Sequence, residues 1–243
     1  MGADFNSIPF PPSEELAYLR LLHLADSALP IGSLAHSFGL ETLVSTEMLA
    51  AGDLPNFLHG YLEEAGMLEA VACREAFHLA GGGEQAFDAA RWVEINDYLS
   101  ALKPARESRA ASATLGRNFL HSVMGLGDFP MLRAAREASL EEGSLIHQSA
   151  AFGLVSATMG FEESRAVLAY LHQMSACLVS ACQRLLPLGQ NEATRILWNL
   201  KTGIVEVSAR SAGLTLETVS CTTPLLDWGA MEHPALSTRL FIS

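Results

Sequence analysis

Apolar residues recur at spacings of three and four through most of this chain, and every sustained pattern is that of an amphipathic helix. Ser13 precedes Glu14 and Glu15 and a run of Leu16, Leu19, Leu22 and His23, which predicts a capped first helix ending near Asp26–Pro30. Between Asp53 and Ala80 the apolar series is Phe57, Leu58, Tyr61, Leu62, Ala65, Leu68, Val71 and Ala72, with Glu63, Glu64 and Glu75 on the other face. This predicts one long acidic helix, or two with a break near Gly66. The triplet Gly81–Gly83 ends it, and the pattern resumes from Glu84 to Leu102. Pro104 is expected to open a helix running to Met124, since proline suits a first turn. A turn over Gly125–Pro130 leads to a short helix closed by Gly143, and further helices are expected over 147–159, 162–186 and 191–209. Only Leu214–Cys221 has a strand-like composition, and it is short enough to be a loop. The prediction is an all-α, single-domain helical bundle of roughly eight to ten helices across residues 1–243, with a flexible, proline-broken stretch at 1–12.

Composition fits that reading, because 49% of the 243 residues are apolar and 17% charged, enough for one sizeable core. Charge adds an asymmetry. The net value is −12, and residues 1–100 hold 15 acids against the three bases Arg20, Arg74 and Arg91, while residues 101–243 balance. Nucleic acid and anionic membranes are therefore excluded as natural partners. All bases except Lys103 and Lys201 are arginines, which a high-GC coding bias explains as well as does a planar fork suited to ion pairs between the two parts of the chain. The 18 residues Ala166–Gln183 carry no formal charge, but His172, two glutamines and two serines mark a central bundle helix and not a membrane span. Residues 1–12 lack the positive charge of a signal peptide, which gives a cytoplasmic expectation. The four cysteines are too scattered for a disulfide scaffold and read as small buried hydrophobes.

No phosphate-binding loop, dinucleotide fingerprint, zinc-protease motif or serine-hydrolase elbow is present. Glu-x-x-His occurs once, at Glu75 and His78, where a di-metal carboxylate bundle needs two copies. Three segments stand out instead. Asp26-Ser-Ala-Leu-Pro-Ile-Gly-Ser-Leu-Ala-His36-Ser-Phe-Gly-Leu-Glu41 is dense in turn formers and caps, with Gly32, Ser33 and Ser37 fixing a tight backbone. His36 is the one candidate metal ligand there, although a lone histidine more commonly packs. Lys103-Pro-Ala-Arg106-Glu-Ser-Arg109, continued by Arg117, forms a basic stripe suited to dock carboxylates of the acidic first part or of a partner. The third segment, 224–243, places Trp228, Met231, Leu236, Leu240, Phe241 and Ile242 where chain ends are normally polar, so these side chains require burial in this chain or against another protein. The helical core is expected to be complete without residues 236–243.

Together with Leu186-Pro-Leu-Gly-Gln190 and Arg239-Leu-Phe-Ile-Ser243, these segments resemble the urease accessory protein UreF family over nearly the whole chain. The resemblance implies an all-α homodimer, non-catalytic, with no stably bound cofactor. It further implies partners: a UreG-type GTPase that binds the GTP, a UreD/UreH-type scaffold, and apo-urease, into which the complex inserts nickel. By motif position it places partner binding on Gly32, Ser33, Leu34, His36 and Ser37, on Arg239, Leu240 and Phe241, and the scaffold contact on 224–243. To these the basic stripe adds Lys103, Arg106 and Arg109. Leu34 stands where many relatives carry an aromatic residue. Arg239 suits either a docking salt bridge or an arginine finger that modulates the GTPase, and its apolar neighbours favour docking. The alternative from a different class is an all-α metalloenzyme using Glu75, His78 and His36.

Overall fold

The computed structural model describes residues 13–80 and 87–243. The flexible stretch expected at 1–12, the terminator Gly81–Gly83 and the resumption at Glu84 lie outside them. Eleven α-helices occur among the described residues: α1 (Glu14–Leu24), α2 (Leu40–Ser45), α3 (Leu54–Tyr61), α4 (Met67–His78), α5 (Ala89–Ala101), α6 (Arg106–Met124), α7 (Pro130–Glu142), α8 (Gln148–Thr158), α9 (Glu163–Leu185), α10 (Gln190–Ser211) and α11 (Pro224–Glu232). The all-α bundle is as predicted, and the short α2 lies partly within the segment read as turn formers. The break near Gly66 is a π-helical turn, Leu62–Gly66, that joins α3 to α4 without leaving the helix.

Ser13 caps α1, its Oγ accepting from the Leu16 amide. The predicted face of α1 is not the buried one. Leu19 and Leu22 are 61% and 50% exposed, whereas Leu21 and Leu24 are buried against α9. Apolar residues occur all round this helix, so spacing alone does not choose the face; the neighbour does. Pro104 likewise precedes the N-cap Ala105 and does not open the first turn of α6. Leu214–Cys221 forms no strand, because its amides are claimed elsewhere. Thr218 closes a turn on Thr215, and Leu216 donates to Glu75. Just beyond, Thr222 donates to Glu64.

Helix α4 runs through the centre, buried on nearly every side, with α8 as its closest neighbour. Gly153 on α8 makes that approach: a Cβ there would lie 2.0 Å from the Cys73 carbonyl oxygen of α4. Gly153→Ala is therefore expected to destabilise the fold by about 1–3 kcal/mol through overpacking, read as a lower chemical-denaturation midpoint at unchanged slope. An unchanged midpoint would show that the two helices part freely. Phe119 of α6 stacks on Phe152 of α8, and Phe152 meets Tyr170 of α9, each pair with centroids 5.4 Å apart.

Ion pairs do join the two parts of the chain. Arg74 of α4 donates to Glu163 at 2.6 Å, to Ser211 Oγ at 2.9 Å and to the Ser208 carbonyl at 2.8 Å, tying α4 to α9 and α10. Glu14 pairs with Arg165, Glu63 with Arg210, and Glu69 with Lys103. Three acids of the first part, Glu14, Glu63 and Glu69, are thus paired with bases of the second, and only the Glu69 pair is buried. Among the described residues no helix is long and apolar enough to cross a membrane.

Candidate docking surface

The segment after α1 is built by local capping. Asp26 Oδ1 accepts the Ala28 amide at 2.8 Å, and Ser33 Oγ donates to the Ser27 carbonyl at 3.2 Å. Gly32 and Gly39 adopt φ of 95° and 91°, which glycine reaches without a Cβ clash. At Gly39 the requirement is double, since a Cβ would also strike the Leu226 carbonyl oxygen at 2.6 Å, where α11 lies against the backbone.

The segment Arg239–Ser243 returns to this turn and is bonded along its length. The Ser37 amide donates to the Ser243 carbonyl at 2.5 Å, and the Ile242 amide to the Ala35 carbonyl at 2.8 Å. The centre of the junction is Glu41, a buried carboxylate at the start of α2. It accepts the Leu240 amide at 2.5 Å and the Phe241 amide at 3.1 Å, and lies 2.7 Å from His233 Nε2. Arg184, near the end of α9, closes the other side. Its Nη1 donates to the Leu34 carbonyl at 2.6 Å and its guanidinium carbon sits 4.2 Å from the centroid of the Phe241 ring.

This junction leaves an apolar groove of about 420 Å³ lined by Leu29, Pro30, Leu34, Arg184, Leu240 and Ile242. Leu34, Leu240 and Ile242 are 43%, 54% and 72% exposed, and Arg239 is exposed beside them. Two sets of predicted residues just over two hundred positions apart therefore meet at one surface. Gly32, Ser33 and Leu34 form its turn side, and Leu240 its tail side. Ser37 and Phe241 are buried beneath it and hold it together. Phe241 belongs to the hydrophobic core, which corrects the expectation that the core is complete without residues 236–243.

His36 is a packing residue. Its Nδ1 lies 2.7 Å from Ser243 Oγ, and burial pushes its pKa down. The metal set proposed as an alternative does not converge. Glu75 and His78 of α4 pair with Arg91 of α5 and Glu163 of α9, whereas His36 contacts Ser243. Among the described residues no three His, Cys, Asp or Glu side chains are grouped to hold a metal ion.

The basic stripe needs a second correction. Arg106 and Arg117 are exposed, but Lys103 turns inward to pair with the buried Glu69 of α4, and Arg109 is spent partly on the Lys103 carbonyl at 2.6 Å. Of the two destinations foreseen for this segment, Lys103 takes the acidic first part of the chain, where its ammonium pairs with the buried Glu69 carboxylate. Burial raises the Glu69 pKa, and the Lys103 ammonium more than offsets it, leaving the carboxyl below its ordinary range. Nearby His147 is wholly buried between Ser100 and Ser112, and burial, together with Lys103, brings its pKa down to about 3.

Three residues of the surface were not foreseen. Glu41 looks in the sequence like an ordinary helical acid, His233 like a loop residue and Arg184 like a helix C-terminal base. Only a carboxylate flanked by apolar residues, Leu40-Glu41-Thr42-Leu43, hinted at burial.

The molecule so defined is an all-α helical protein in which the turn after α1 and the tail segment, two of the predicted sites, meet at an exposed, partly apolar groove built over the buried Glu41–His233 pair. The family model for UreF matches residues 49–201. Urease accessory proteins UreF from Nostoc sp., Corynebacterium glutamicum and Rhodopseudomonas palustris are 31%, 30% and 29% identical to the chain, covering 93%, 92% and 93% of it and 96%, 96% and 93% of their own lengths. The chain belongs to the UreF family of urease accessory proteins.

Proposed function

We propose that this chain acts in urease maturation as a non-catalytic adaptor that joins a UreG-type GTPase to a UreD/UreH-type scaffold, in a complex that inserts nickel into apo-urease. The observation that carries the reading is the meeting of the turn 32–37 with Arg239–Phe241 on a single exposed surface, in a chain whose relatives are named urease accessory proteins. The surface has the composition of a protein interface: apolar side chains at its centre and arginines at its rim. Nickel is the cargo of the assembly and GTP the ligand of the partner, and the chain works as a homodimer. Arg239 docks the GTPase through a salt bridge.

The test is co-elution of the purified chain, with its scaffold, and the GTPase. Arg239→Ala is expected to weaken the complex about tenfold without changing the melting temperature, as loss of one charged anchor does. Unchanged co-elution would remove Arg239 from the docking assignment. GTP turnover measured in the same mixtures separates docking from catalysis: a variant that binds normally but fails to alter turnover would make Arg239 an arginine finger.

A further inference from the structure

In a chain with 27 acids and 15 bases, six arginines pair with a carboxylate among the described residues: Arg74, Arg91, Arg133, Arg165, Arg195 and Arg210. The two arginines at the groove do not. Arg239 has no hydrogen bond or ion pair among the described residues. Arg184 uses Nη1 on the Leu34 carbonyl and its flat face on Phe241, and pairs with no carboxylate among the described residues. An exposed guanidinium with one nitrogen anchored to backbone and its plane held by a ring has already lost most of its rotamer freedom. Its remaining N–H groups can bind a carboxylate with little further ordering.

We propose that the groove receives a partner segment carrying an apolar side chain next to a carboxylate, and that Arg184 is its second anchor. The apolar side chain fills the space between Leu34, Leu240 and Ile242, and the carboxylate bonds the free side of the Arg184 fork while Arg239 approaches from the tail. The charge pattern selects this occupant: these uncompensated cations flank the apolar centre of a molecule whose net charge would repel an acidic partner elsewhere. Arg184 is also a positioning residue, since the same side chain holds Leu34 and Phe241 in place. The inference rests on the docking reading above and adds to it the chemistry of the partner.

The experiment titrates the purified GTPase onto the chain and its scaffold over a range of salt concentrations. Arg184→Gln removes the charge and keeps an amide N–H on a shorter side chain. It is expected to weaken binding about tenfold at low salt, with most of the gap from wild type closing at high salt and only a small drop in melting temperature from the lost Leu34 and Phe241 contacts. Arg184→Lys is expected to fall between the two, because it keeps the charge and loses the fork. A loss of the same size at every salt concentration would make Arg184 merely structural and overturn the proposal. Leu34→Asp places a repelling charge in the groove and tells the two readings apart. If Leu34→Asp and Arg239→Ala break the complex while Arg184→Gln does not, docking stands and the carboxylate anchor falls. If none of the three has an effect, the docking surface itself is wrong. If Arg184→Gln alters only self-association measured by sedimentation, the groove takes a second copy of this chain, which also overturns the proposal.

Discussion

Lys103→Ala is expected to destabilise the protein by about 3–5 kcal/mol, because it strands the Glu69 carboxylate in the core without its cation. The cost comes from the uncompensated charge more than from the lost attraction. The double variant Glu69→Leu/Lys103→Met should therefore recover most of the stability, and a denaturation cycle over the four proteins measures the coupling. A double variant as unstable as the single would show that the pair is not the cause. The pH dependence gives an independent reading. In the wild type the Glu69 carboxyl is held below its unfolded value, so its contribution is fully present above that value and is lost as pH falls through the lower folded one. In Lys103→Ala burial, which raises the carboxyl, loses its main opponent and is countered only by the Ser149 hydrogen bond and His147, so acidification should narrow the gap between variant and wild type. A gap that widens on acidification would contradict the assignment.

Deleting residues 236–243 is the second large effect. It removes Phe241 from the core, a loss of about 3–5 kcal/mol for a large aromatic side chain. It also strips two of the three donors from the buried Glu41 carboxylate. The damage should be local. Helices α4, α6, α8, α9 and α10 keep their mutual packing, so most helical circular dichroism persists, while amide exchange in α2 and in the turn 32–37 accelerates and the melting temperature drops. GTPase and scaffold binding are expected to be lost together with that order. A truncated chain with wild-type melting and slow exchange in α2 would show that the tail only rests on the surface. Glu41→Gln is the milder companion: the Leu240 and Phe241 amides bond different carboxylate oxygens, so it keeps an acceptor for only one of them and should loosen the same residues without removing Phe241.

The helices were legible because their signals are local. Ser13, Asp88 and Glu162 each cap a helix through a neighbour two or three residues on, and Gly143 ends α7 at a φ of 68°. What escaped was set by distant partners. Nothing near Lys103 in the chain reveals that it faces Glu69 across the core, and α1 has apolar residues enough for two faces. The turn 32–37 and Arg239 were recognisable as separate motifs, but Glu41 and Arg184, which weld them together, carry no local signature. Their roles come from atoms roughly 150 to 200 positions away.

That separation has a consequence for how the protein is made. Synthesis proceeds from the first residue at about 5–20 residues per second, so the turn and α2 leave the ribosome many seconds before Arg239–Ser243 exist. Through that interval the Glu41 carboxylate has neither its His233 nor its two tail amides, and Ser37 and His36 lack Ser243. The groove is therefore among the last features of the molecule to form. A partner that reads it tests in one contact that both distant segments have been synthesised and have found each other, and half-made or misfolded chains are left out of the assembly.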